Sequence, residues 1–385
     1  MIVRDFVPRL ARRLREKHVR LQVVLGPRQV GKTTGIRQLL GRWRSPALYA
    51  SADEAISITG RWIEEWWQSA LEKSRGTLLV LDEIQKIPHW ADTVKRLWDA
   101  EGRAPRLKVV LLGSSSLDLQ RGLSESLAGR FEMTAVRHWG FVETRRAVGW
   151  SLDQFLVFGG YPGGHDYWRD YTRWSSYLKS SIVDAVIGND ILTQRSVAKP
   201  ALFRRAFEIL CGFPAQEISY TKLLGQLQDR GNTDLIKHYL TLYEGAFLFK
   251  SLFKYSPSVL ASRSSSPKIV PLCPALYALV AGPETLKDPA LKGRAFEALV
   301  GSDLLAIEGA DVSYWREGND EVDFVIRHEG SLFAVEVKSS RSSKSRGLVA
   351  FQKRYPASKC AVISFENYLH FAAGPWAFLE SVVIR

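Results

Sequence analysis

The chain has 385 residues, 46% of them hydrophobic and 24% charged, which is typical of a globular protein with two or three domains. Its formal net charge of +13 favours a polyanionic partner, nucleic acid before membrane, although a basic protein that is merely soluble would show the same surplus. Three separated cysteines without a CxxC pair argue against a disulfide framework or a zinc site, and the lack of a long apolar run or a secretory signal predicts a cytoplasmic protein without a membrane span.

The first predicted elements are a strand, a glycine-rich loop and a helix in LQVVLGPRQVGKTTGIRQLL, which contains the pattern G-x-x-x-x-G-K-T. In this pattern backbone N–H groups and the helix N-terminus hold the phosphates of a nucleotide. Lys32 would reach the β- and γ-phosphates, and the Thr33 hydroxyl would bind Mg²⁺. The predicted nucleotide-binding residues are Gly26, Pro27, Arg28, Gln29, Val30, Gly31, Lys32, Thr33 and Thr34.

Two further buried strands complete a predicted P-loop ATPase core over residues 1–133. TLLVLDEIQK ends in Asp82, which would bind Mg²⁺ through water, and Glu83, which would orient and polarise the attacking water. LKVVLLGSSS ends in serines, of which Ser114, with Ser115 as the second choice, would sense the γ-phosphate. The chain has no Asn-Lys-x-Asp motif for reading guanine, so ATP is favoured over GTP.

One arginine after the third strand is a candidate catalytic residue. Arg130, in LSESLAGRFE, would serve as an arginine finger or a sensor of the nucleotide. A surface position or a salt bridge is the alternative. If Arg130 acts in trans, the active form is a homo-oligomer.

The middle of the chain is predicted to hold two helical regions. Residues 134–200 are mainly helical with a corner at FLVFGGYPGG, which suits a lid beside the nucleotide site. Residues 201–260 contain three predicted helices and a strand pair in FLFKSLFKYSP, the pattern of a winged helix. The third helix of such a domain usually meets DNA, and Lys237 and His238 would lie on its exposed face. A winged helix that serves only packing or protein contacts is the alternative.

A β-hairpin is predicted in the last third, because EVDFVIRHEGSLFAVEVKSS alternates apolar and charged residues around Glu329-Gly330. Asp323 would then lie opposite Glu336, and Glu321 opposite Lys338. Facing carboxylates repel each other, and a shared divalent cation would relieve the repulsion. The alternative is a solvated charged face with a Glu321–Lys338 ion pair. In either case one face would be core, formed by Val322, Phe324, Val335 and Val337.

The order of motifs resembles the prokaryotic P-loop ATPases that join an AAA-type domain to a C-terminal domain of unknown function. The matching segments are GPRQVGKTT, LDEIQKIPHW, GSSSLDLQRGLSESLAGRFE, FGGYPG, FEALV, YWREGNDEVDF and VEVKSS. The C-terminal part of that family is similar to restriction-endonuclease-like folds of the PD-(D/E)xK type. The resemblance therefore implies an endonuclease-like domain over residues 268–385.

The resemblance also implies a second metal site. Asp323 matches the metal-binding acid after the first core strand, Glu336 and Lys338 match the E-x-K of the next strand, and Glu297 matches the acid of the preceding helix. In such a site Mg²⁺ polarises the phosphate and lowers the pKa of a bound water. Lys338 would orient that water and steady the developing charge.

The expected protein is an α/β multidomain ATPase: an N-terminal AAA-type P-loop parallel sheet with helices, a helical lid, a winged helix and a C-terminal α/β restriction-endonuclease-like domain. It would use ATP and Mg²⁺, bind nucleic acid, DNA in the first instance, and carry a Mg²⁺-dependent nuclease site. One alternative is a DNA-binding ATPase whose nuclease-like domain does not cut. The other is an ATP-driven switch or scaffold that acts on a protein partner.

Overall fold

The computed structural model describes residues 2–17, 20–55, 59–102, 106–114, 122–123, 125–192, 197, 199–228, 232–256, 265–339 and 345–381. The chain forms two compact units, Met1–His138 and Trp139–Arg385. Within the described ranges, no helix has both the length and the apolar character that crossing a membrane requires.

The first unit is built on a five-stranded parallel sheet with the strand order β2–β3–β4–β1–β5. Its strands are β1 (Leu21–Gly26), β2 (Ala47–Ser51), β3 (Leu78–Asp82), β4 (Lys108–Ser114) and β5 (Phe131–Ala135). Its helices are α1 (Phe6–Leu14), α2 (Lys32–Leu40), α3 (Gly60–Leu71) and α4 (Trp90–Ala100), with 3-10 turns at Ala52–Glu54 and Ile84–Lys86. Every residue of β1 and β3 is buried, as in parallel strands covered on both faces. The predicted parallel α/β core is confirmed.

The register of this sheet brings the predicted nucleotide motifs to one edge. Gly26 pairs with Ser114, and Ser51 pairs with Asp82, so four strands end side by side. Ligands of open parallel sheets bind outside the carboxyl ends of the strands, which is the edge where these residues lie. The last strand, β5, spans Phe131–Ala135, so it extends past residue 133, where the sequence predicts that the core ends and the helical lid begins.

The second unit begins with the region predicted to be a helical lid. It contains α5 (Phe141–Val148), α6 (Leu152–Phe158) and α7 (Tyr171–Leu178), a 3-10 helix at Pro162–Tyr167 and π-helical turns at Lys179–Val183 and Ala185–Leu192. Phe141, Phe155 and Leu156 belong to a buried cluster that also contains Phe296 and Phe324. These helices and the C-terminal segment therefore share one hydrophobic core.

The next segment has the element order helix, strand, helix, helix, strand, strand. Its elements are α8 (Pro200–Cys211), β6 (Gln216–Glu217), α9 (Tyr220–Leu227), α10 (Thr233–Gly245), β7 (Phe249–Leu252) and β8 (Lys268–Pro271). The three strands form an antiparallel sheet in the order β6–β8–β7. The predicted strand pair within FLFKSLFKYSP is therefore wrong, because β7 pairs with a strand that the sequence assigns to the last domain.

The C-terminal segment forms a separate mixed sheet with the order β12–β11–β10–β9. Its strands are β9 (Asp311–Glu317), β10 (Asp320–His328), β11 (Ser331–Lys338) and β12 (Lys359–Ser364); β11 and β12 are parallel and the other pairs antiparallel. Its helices are α11 (Pro274–Ala281), α12 (Pro289–Leu304), α13 (Arg346–Arg354), α14 (Tyr368–Ala373) and α15 (Pro375–Ser381), with a 3-10 turn at Pro283–Leu286.

The β10–β11 hairpin has the predicted register. Phe324 pairs with Val335, and the two strands meet at Glu329 and Gly330. Both turn residues have positive φ, 49° and 75°, as a two-residue type I′ hairpin turn requires. The turn and the apolar alternation therefore agree on one register.

A bulge in β10 alters which side chains share a face. The pairing of β10 with β9 shifts between Val322 and Val325. As a result Val322 lies in a second buried cluster with Val325, whereas Phe324 lies in the cluster beneath α12. The expectation that Val322 and Phe324 share one core face is wrong, since an extra residue in a strand reverses the alternation beyond it.

Candidate functional site

The P-loop connects β1 to α2 and is turned by two residues with positive φ, Gln29 at 56° and Gly31 at 87°. Lys32 is buried and begins α2. Its Nζ atom donates to the carbonyl oxygens of Gly26, at 2.9 Å, and Pro27, at 2.7 Å. The lysine thus lies against the loop whose N–H groups would hold phosphates.

The base of the P-loop is fixed by close packing. A Cβ atom on Gly26 would lie 2.2 Å from the carbonyl oxygen of Val136, so only glycine fits there. The buried Arg4 donates through Nη1 to the carbonyl oxygen of Val30 and through Nη2, at 2.9 Å, to that of Arg137. Arg4 therefore ties the loop to the segment after β5, a role that the sequence did not indicate.

The Walker-B carboxylate and the P-loop hydroxyl meet in the structure. Oδ2 of the buried Asp82 accepts a hydrogen bond from Thr33 Oγ1 at 3.0 Å and another from the Tyr49 hydroxyl at 2.6 Å. Burial, together with the adjacent Asp82 carboxylate, raises the pKa of Tyr49, so this hydroxyl stays protonated and donates. A hydroxyl and a carboxylate are the hard oxygen donors that Mg²⁺ prefers, so these residues fit the Mg²⁺ of a bound nucleotide.

Glu83 has a strained backbone beside this centre. Its φ of 52° is uncommon for a residue other than glycine, and such conformations cluster at functional sites. The backbone N–H of Glu83 donates to Asp82 Oδ1 at 2.9 Å, and Gln85 Nε2 donates to Glu83 Oε2 at 2.6 Å. Burial, followed by the charge of Asp82, raises the pKa of Glu83, while the bond from Gln85 acts against the increase.

The serines after β4 are placed only in part. The backbone of Ser114 ends β4 beside Gly26, at the nucleotide edge. The side chain of Ser114 and the whole of Ser115 lie outside the described residues. The choice between them as a γ-phosphate sensor stays a prediction.

Arg130 lies at the opposite edge of the sheet from the P-loop. Its carbonyl oxygen accepts from Leu21 N–H, at the start of β1, at 3.1 Å. At about 3.3 Å per residue, the length of β1 separates this edge from Gly26 by roughly 17 Å. The guanidinium binds Asp99 through two hydrogen bonds, of 2.7 and 2.9 Å. Within its own chain Arg130 is therefore a salt-bridge partner, and a catalytic role would require a second subunit.

The predicted C-terminal site residues come together on adjacent elements. Asp323 lies on β10, Glu336 and Lys338 lie on β11, and Glu297 lies on α12. Lys338 Nζ is 2.6 Å from Oε1 of the buried Glu336. Asp323 Oδ2 accepts a hydrogen bond from the backbone N–H of Val337 at 2.8 Å.

The alternative ion pair between Glu321 and Lys338 is not what the structure shows. Glu321 instead contacts Arg316, and Lys338 contacts Glu336. Arg316 also lies 2.9 Å from Glu217, at the end of β6. The charged face of the hairpin is thus joined to the neighbouring three-stranded sheet.

A lysine that the sequence did not single out lies among these acids. The side chain of Lys268, at the start of β8, is only 1% exposed. Its Nζ atom is 2.6 Å from Glu297 Oε1 and 3.9 Å from carboxylate oxygens of both Asp323 and Glu321. It also donates to the backbone carbonyl oxygen of Asp323 at 3.1 Å.

Burial and charge act against each other in this cluster. Burial raises the pKa of Glu297 and of Asp323, and the Lys268 ammonium acts to lower both. Burial acts to lower the pKa of Lys268, but the surrounding carboxylates outweigh it and the pKa is raised. Lys268 is therefore a charged ammonium that compensates Glu297 and Asp323, whereas Glu336 has Lys338 as its partner.

The donor set does not fit a resident Mg²⁺ in the C-terminal cluster. Over the described ranges, no group of three or more His, Cys, Asp or Glu side chains is arranged to hold a metal ion. Mg²⁺ needs oxygen ligands at about 2.0–2.1 Å in an octahedral shell. The Lys268 ammonium, 2.6 Å from Glu297 and 3.9 Å from Asp323, already compensates the charge of these two acids.

On the third helix of the middle segment, α10, Lys237 and His238 are both exposed, as predicted. Lys237 Nζ is 2.9 Å from Asp234 Oδ1 and 5.6 Å from the centre of the Tyr220 ring. An exposed ion pair of this kind contributes little stability, so Lys237 can leave Asp234 at little cost in free energy.

Comparisons with known proteins divide the chain into three matched segments. Residues 18–144 match the family described as an AAA domain. Residues 149–285 and 292–373 match two domains of unknown function, DUF8612 and DUF4143.

The most informative relatives are mycobacterial. "Uncharacterized protein Rv2008c" of Mycobacterium tuberculosis and "Uncharacterized protein Mb2031c" of Mycobacterium bovis are each 30% identical over 349 residues, covering 88% of this chain and 75% of the relative. This chain belongs to their family. "Uncharacterized protein MJ1544" of Methanocaldococcus jannaschii is 24% identical over 360 residues, covering 87% of this chain and 78% of that protein.

A solved structure supports the P-loop ATPase fold of the part of this chain that matches the AAA domain. The Walker-type ATPase PABY2304 of Pyrococcus abyssi aligns with a TM-score of 0.51 and 16% identity, covering 73% of this chain and 96% of that chain. With the AAA-domain match, this confirms the predicted AAA-type P-loop ATPase fold. The C-terminal mixed sheet forms a separate α/β part of the chain.

Four residues of the two sites were not indicated by the sequence: Arg4, Tyr49, Gln85 and Lys268. Gln85 lies two residues after Glu83, so their spacing in the sequence could have indicated the contact. Tyr49 lies within a strand whose neighbour could not be assigned from the sequence, and Lys268 begins a short apolar run without a motif. Only the tertiary contacts reveal their partners.

Proposed function

We propose that this AAA-domain protein binds ATP with Mg²⁺, hydrolyses it, and uses the cycle to control the binding of nucleic acid, DNA in the first instance. The observation that carries the ATPase part is the meeting of the Thr33 hydroxyl and the Asp82 carboxylate, 3.0 Å apart, at the edge where the P-loop begins. Bound Mg²⁺ would neutralise charge on the β- and γ-phosphates.

The chain's own residues have separate tasks in this proposal. The loop N–H groups from Arg28 to Thr34 and the N-terminus of α2 hold the phosphates. Lys32 leaves the carbonyl oxygens of Gly26 and Pro27 to contact the phosphates. Glu83 orients the attacking water, and the increase of its pKa by burial makes it a better proton acceptor.

Two substitutions test the ATPase proposal. Lys32→Ala should abolish hydrolysis, because the phosphates lose their main side-chain cation. Glu83→Gln should retain ATP binding and slow turnover by at least tenfold, because the amide cannot accept a proton. Lys73→Ala, at an exposed position of the same unit, is the control. Wild-type turnover in both site variants would disprove the proposal.

The role of Arg130 is testable by subunit mixing. We propose that it acts on the nucleotide of a neighbouring subunit, since it lies at the far edge of its own sheet. Mixing inactive Arg130→Ala chains with inactive Lys32→Ala chains should then restore part of the activity. Full activity of Arg130→Ala alone would refute a catalytic role, and the salt bridge with Asp99 would be the function of Arg130.

The nucleic-acid part rests on the middle segment. Its element order and the sheet order β6–β8–β7 support a winged helix, and α10 carries the exposed Lys237 and His238. The net charge of +13 favours a polyanion. Duplex binding should therefore weaken steeply with salt, and Lys237→Ala should reduce the salt slope by about one unit. Lys287→Ala, an exposed lysine outside this segment, is the control, and no binding at low salt would refute the proposal.

Cleavage by the C-terminal domain is the activity that the family resemblance implies. Its test is Mg²⁺- or Mn²⁺-dependent cutting of linear, branched and single-stranded DNA, with Asp323→Ala and Lys338→Ala as controls. The second candidate function is an ATP-driven switch with an inactive nuclease-like domain. The Lys268 ammonium among the carboxylates favours this second candidate.

A further inference from the structure

Lys268 comes from one sheet and completes the charged cluster of another. It begins β8, where it pairs with Glu217 of β6 and with Leu252 of β7. Its side chain extends to the carboxylates of the C-terminal sheet and of α12, and its stem lies beside the Phe324 ring, with Nζ 5.0 Å from the ring centre. The central position of β8 fixes the lysine backbone from both sides.

The Lys268 ammonium and a divalent cation would compete for the same acids. Lys268 Nζ lies 2.6 Å from Glu297 and 3.9 Å from Asp323, so it fills the gap between the two acids. An ion bound to both acids would lie next to this ammonium, and two cations so close together in a buried site repel each other strongly. If the side chain withdrew, its ammonium would lose the hydrogen bond to the Asp323 carbonyl oxygen and the ion pair with Glu297.

The second lysine of the cluster does not have this position. Lys338 contacts Glu336 at 2.6 Å, and its side chain is 37% exposed, so it can move into solvent. Lys268 is almost fully buried and faces three acids. A buried acid without a partner cation strongly destabilises the folded state. The cluster therefore requires one cation to compensate its acids.

We propose that Lys268 is a built-in cation: it takes the place of a divalent metal between Glu297 and Asp323, so the natural cluster binds none, and removal of its charge creates a site for Mn²⁺ or Mg²⁺. The inference concerns the second unit alone and does not depend on ATP hydrolysis. It accounts for the acids of a metal site without requiring a metal.

The experiment measures Mn²⁺ binding to the full chain without nucleotide, by the electron paramagnetic resonance signal of free Mn²⁺. Lys268→Met, which keeps the length of the side chain, should bind one more ion per chain than wild type. The additional ion should be lost in Lys268→Met/Asp323→Asn. Lys250→Met is the matched control, because Lys250 is an exposed lysine on the neighbouring strand β7, and it should behave as wild type.

Thermal unfolding gives a second readout that needs no activity. Mn²⁺ should raise the Tm of Lys268→Met by more than it raises that of wild type or of Lys250→Met, since a ligand that binds the folded state stabilises it. Lys268→Arg, which keeps the charge, should show neither the additional ion nor the additional shift. A folded Lys268→Met that gains no ion overturns the proposal.

Variants that keep Lys268 also test the inference, so this test does not require Lys268→Met to fold. If Asp323→Asn or Glu297→Gln binds one ion fewer than wild type, the natural cluster already holds a metal beside Lys268 and the proposal is overturned. Equal stoichiometry in wild type and in both variants supports it. Mn²⁺ bound at the P-loop would add equally to the ion count of all of these proteins, so it would not change the comparison between them.

Discussion

Removal of the Lys268 ammonium should destabilise the second unit strongly. In Lys268→Met the carboxylates of Glu297 and Asp323 remain buried without the cation at 2.6 and 3.9 Å. Breaking a buried ion pair by removal of one partner costs about 3–5 kcal/mol. Because domains are stable by about 5–15 kcal/mol, the variant should still fold at 25 °C. The exposed ion pair of Lys250 with Glu244 gives the scale for comparison, at about 1 kcal/mol or less.

The loss of stability in Lys268→Met should depend on pH. Burial raises the pKa of Glu297 in the folded chain, and the Lys268 ammonium opposes that increase. Without the ammonium the folded pKa rises further above its unfolded value. Such a group costs no stability below the unfolded pKa, and the cost grows as pH rises through the folded pKa. The difference between wild type and Lys268→Met should therefore be largest near pH 8 and shrink as pH falls toward 5.

The assay is urea unfolding of wild type, Lys268→Met and Lys250→Met at several pH values in a metal-free buffer. A loss of about 1 kcal/mol or less for Lys268→Met would refute the buried ion pair, because an exposed pair contributes that amount. A large loss that does not change between pH 8 and pH 5 would refute the carboxylates as its cause. In that case the lost packing of the lysine stem would explain the effect.

Three further predictions concern the nucleotide site. Tyr49→Phe removes a 2.6 Å hydrogen bond to Asp82, and we expect turnover to fall about tenfold in a steady-state assay, since a bond to a charged group contributes about 1.5–3 kcal/mol; unchanged turnover would contradict this. Gln85→Ala removes the bond that lowers the pKa of Glu83, so the acidic limb of the pH–rate profile should move to higher pH. Gly26→Ala places a Cβ 2.2 Å from a carbonyl oxygen, and calorimetry should show weakened or lost ATP binding; wild-type affinity would argue against this packing.

Local patterns predicted several parts of this protein correctly. The P-loop and the Walker-B strand are contiguous motifs with a fixed spacing, and their strands end side by side as expected. The hairpin register followed from the turn at Glu329-Gly330 and the alternation on either side of it. The hairpin residues are close in sequence, so turn geometry and burial of one face are sufficient to fix their register, and each nucleotide motif is itself a contiguous segment.

Contacts between distant segments were not predictable in the same way. β7 was expected to pair within its own short segment, but it pairs with β8. The bulge in β10 moved Val322 into another cluster, and Arg130 lies at the edge of the sheet away from the P-loop. Strand partners and bulges depend on how several elements pack together, and a single sequence carries no direct record of that packing.

The carboxylate cluster shows the division most clearly. The sequence by itself determined that Asp323 and Glu336 lie on facing strands and need a cation between or beside them. Only the tertiary structure decided which cations these are. Lys338 contacts Glu336, and Asp323 has Lys268, which lies 55 residues earlier and on a different sheet. The physical reason is that a buried charge must be compensated by whichever opposite charge the fold brings within reach, and sequence separation does not limit that choice.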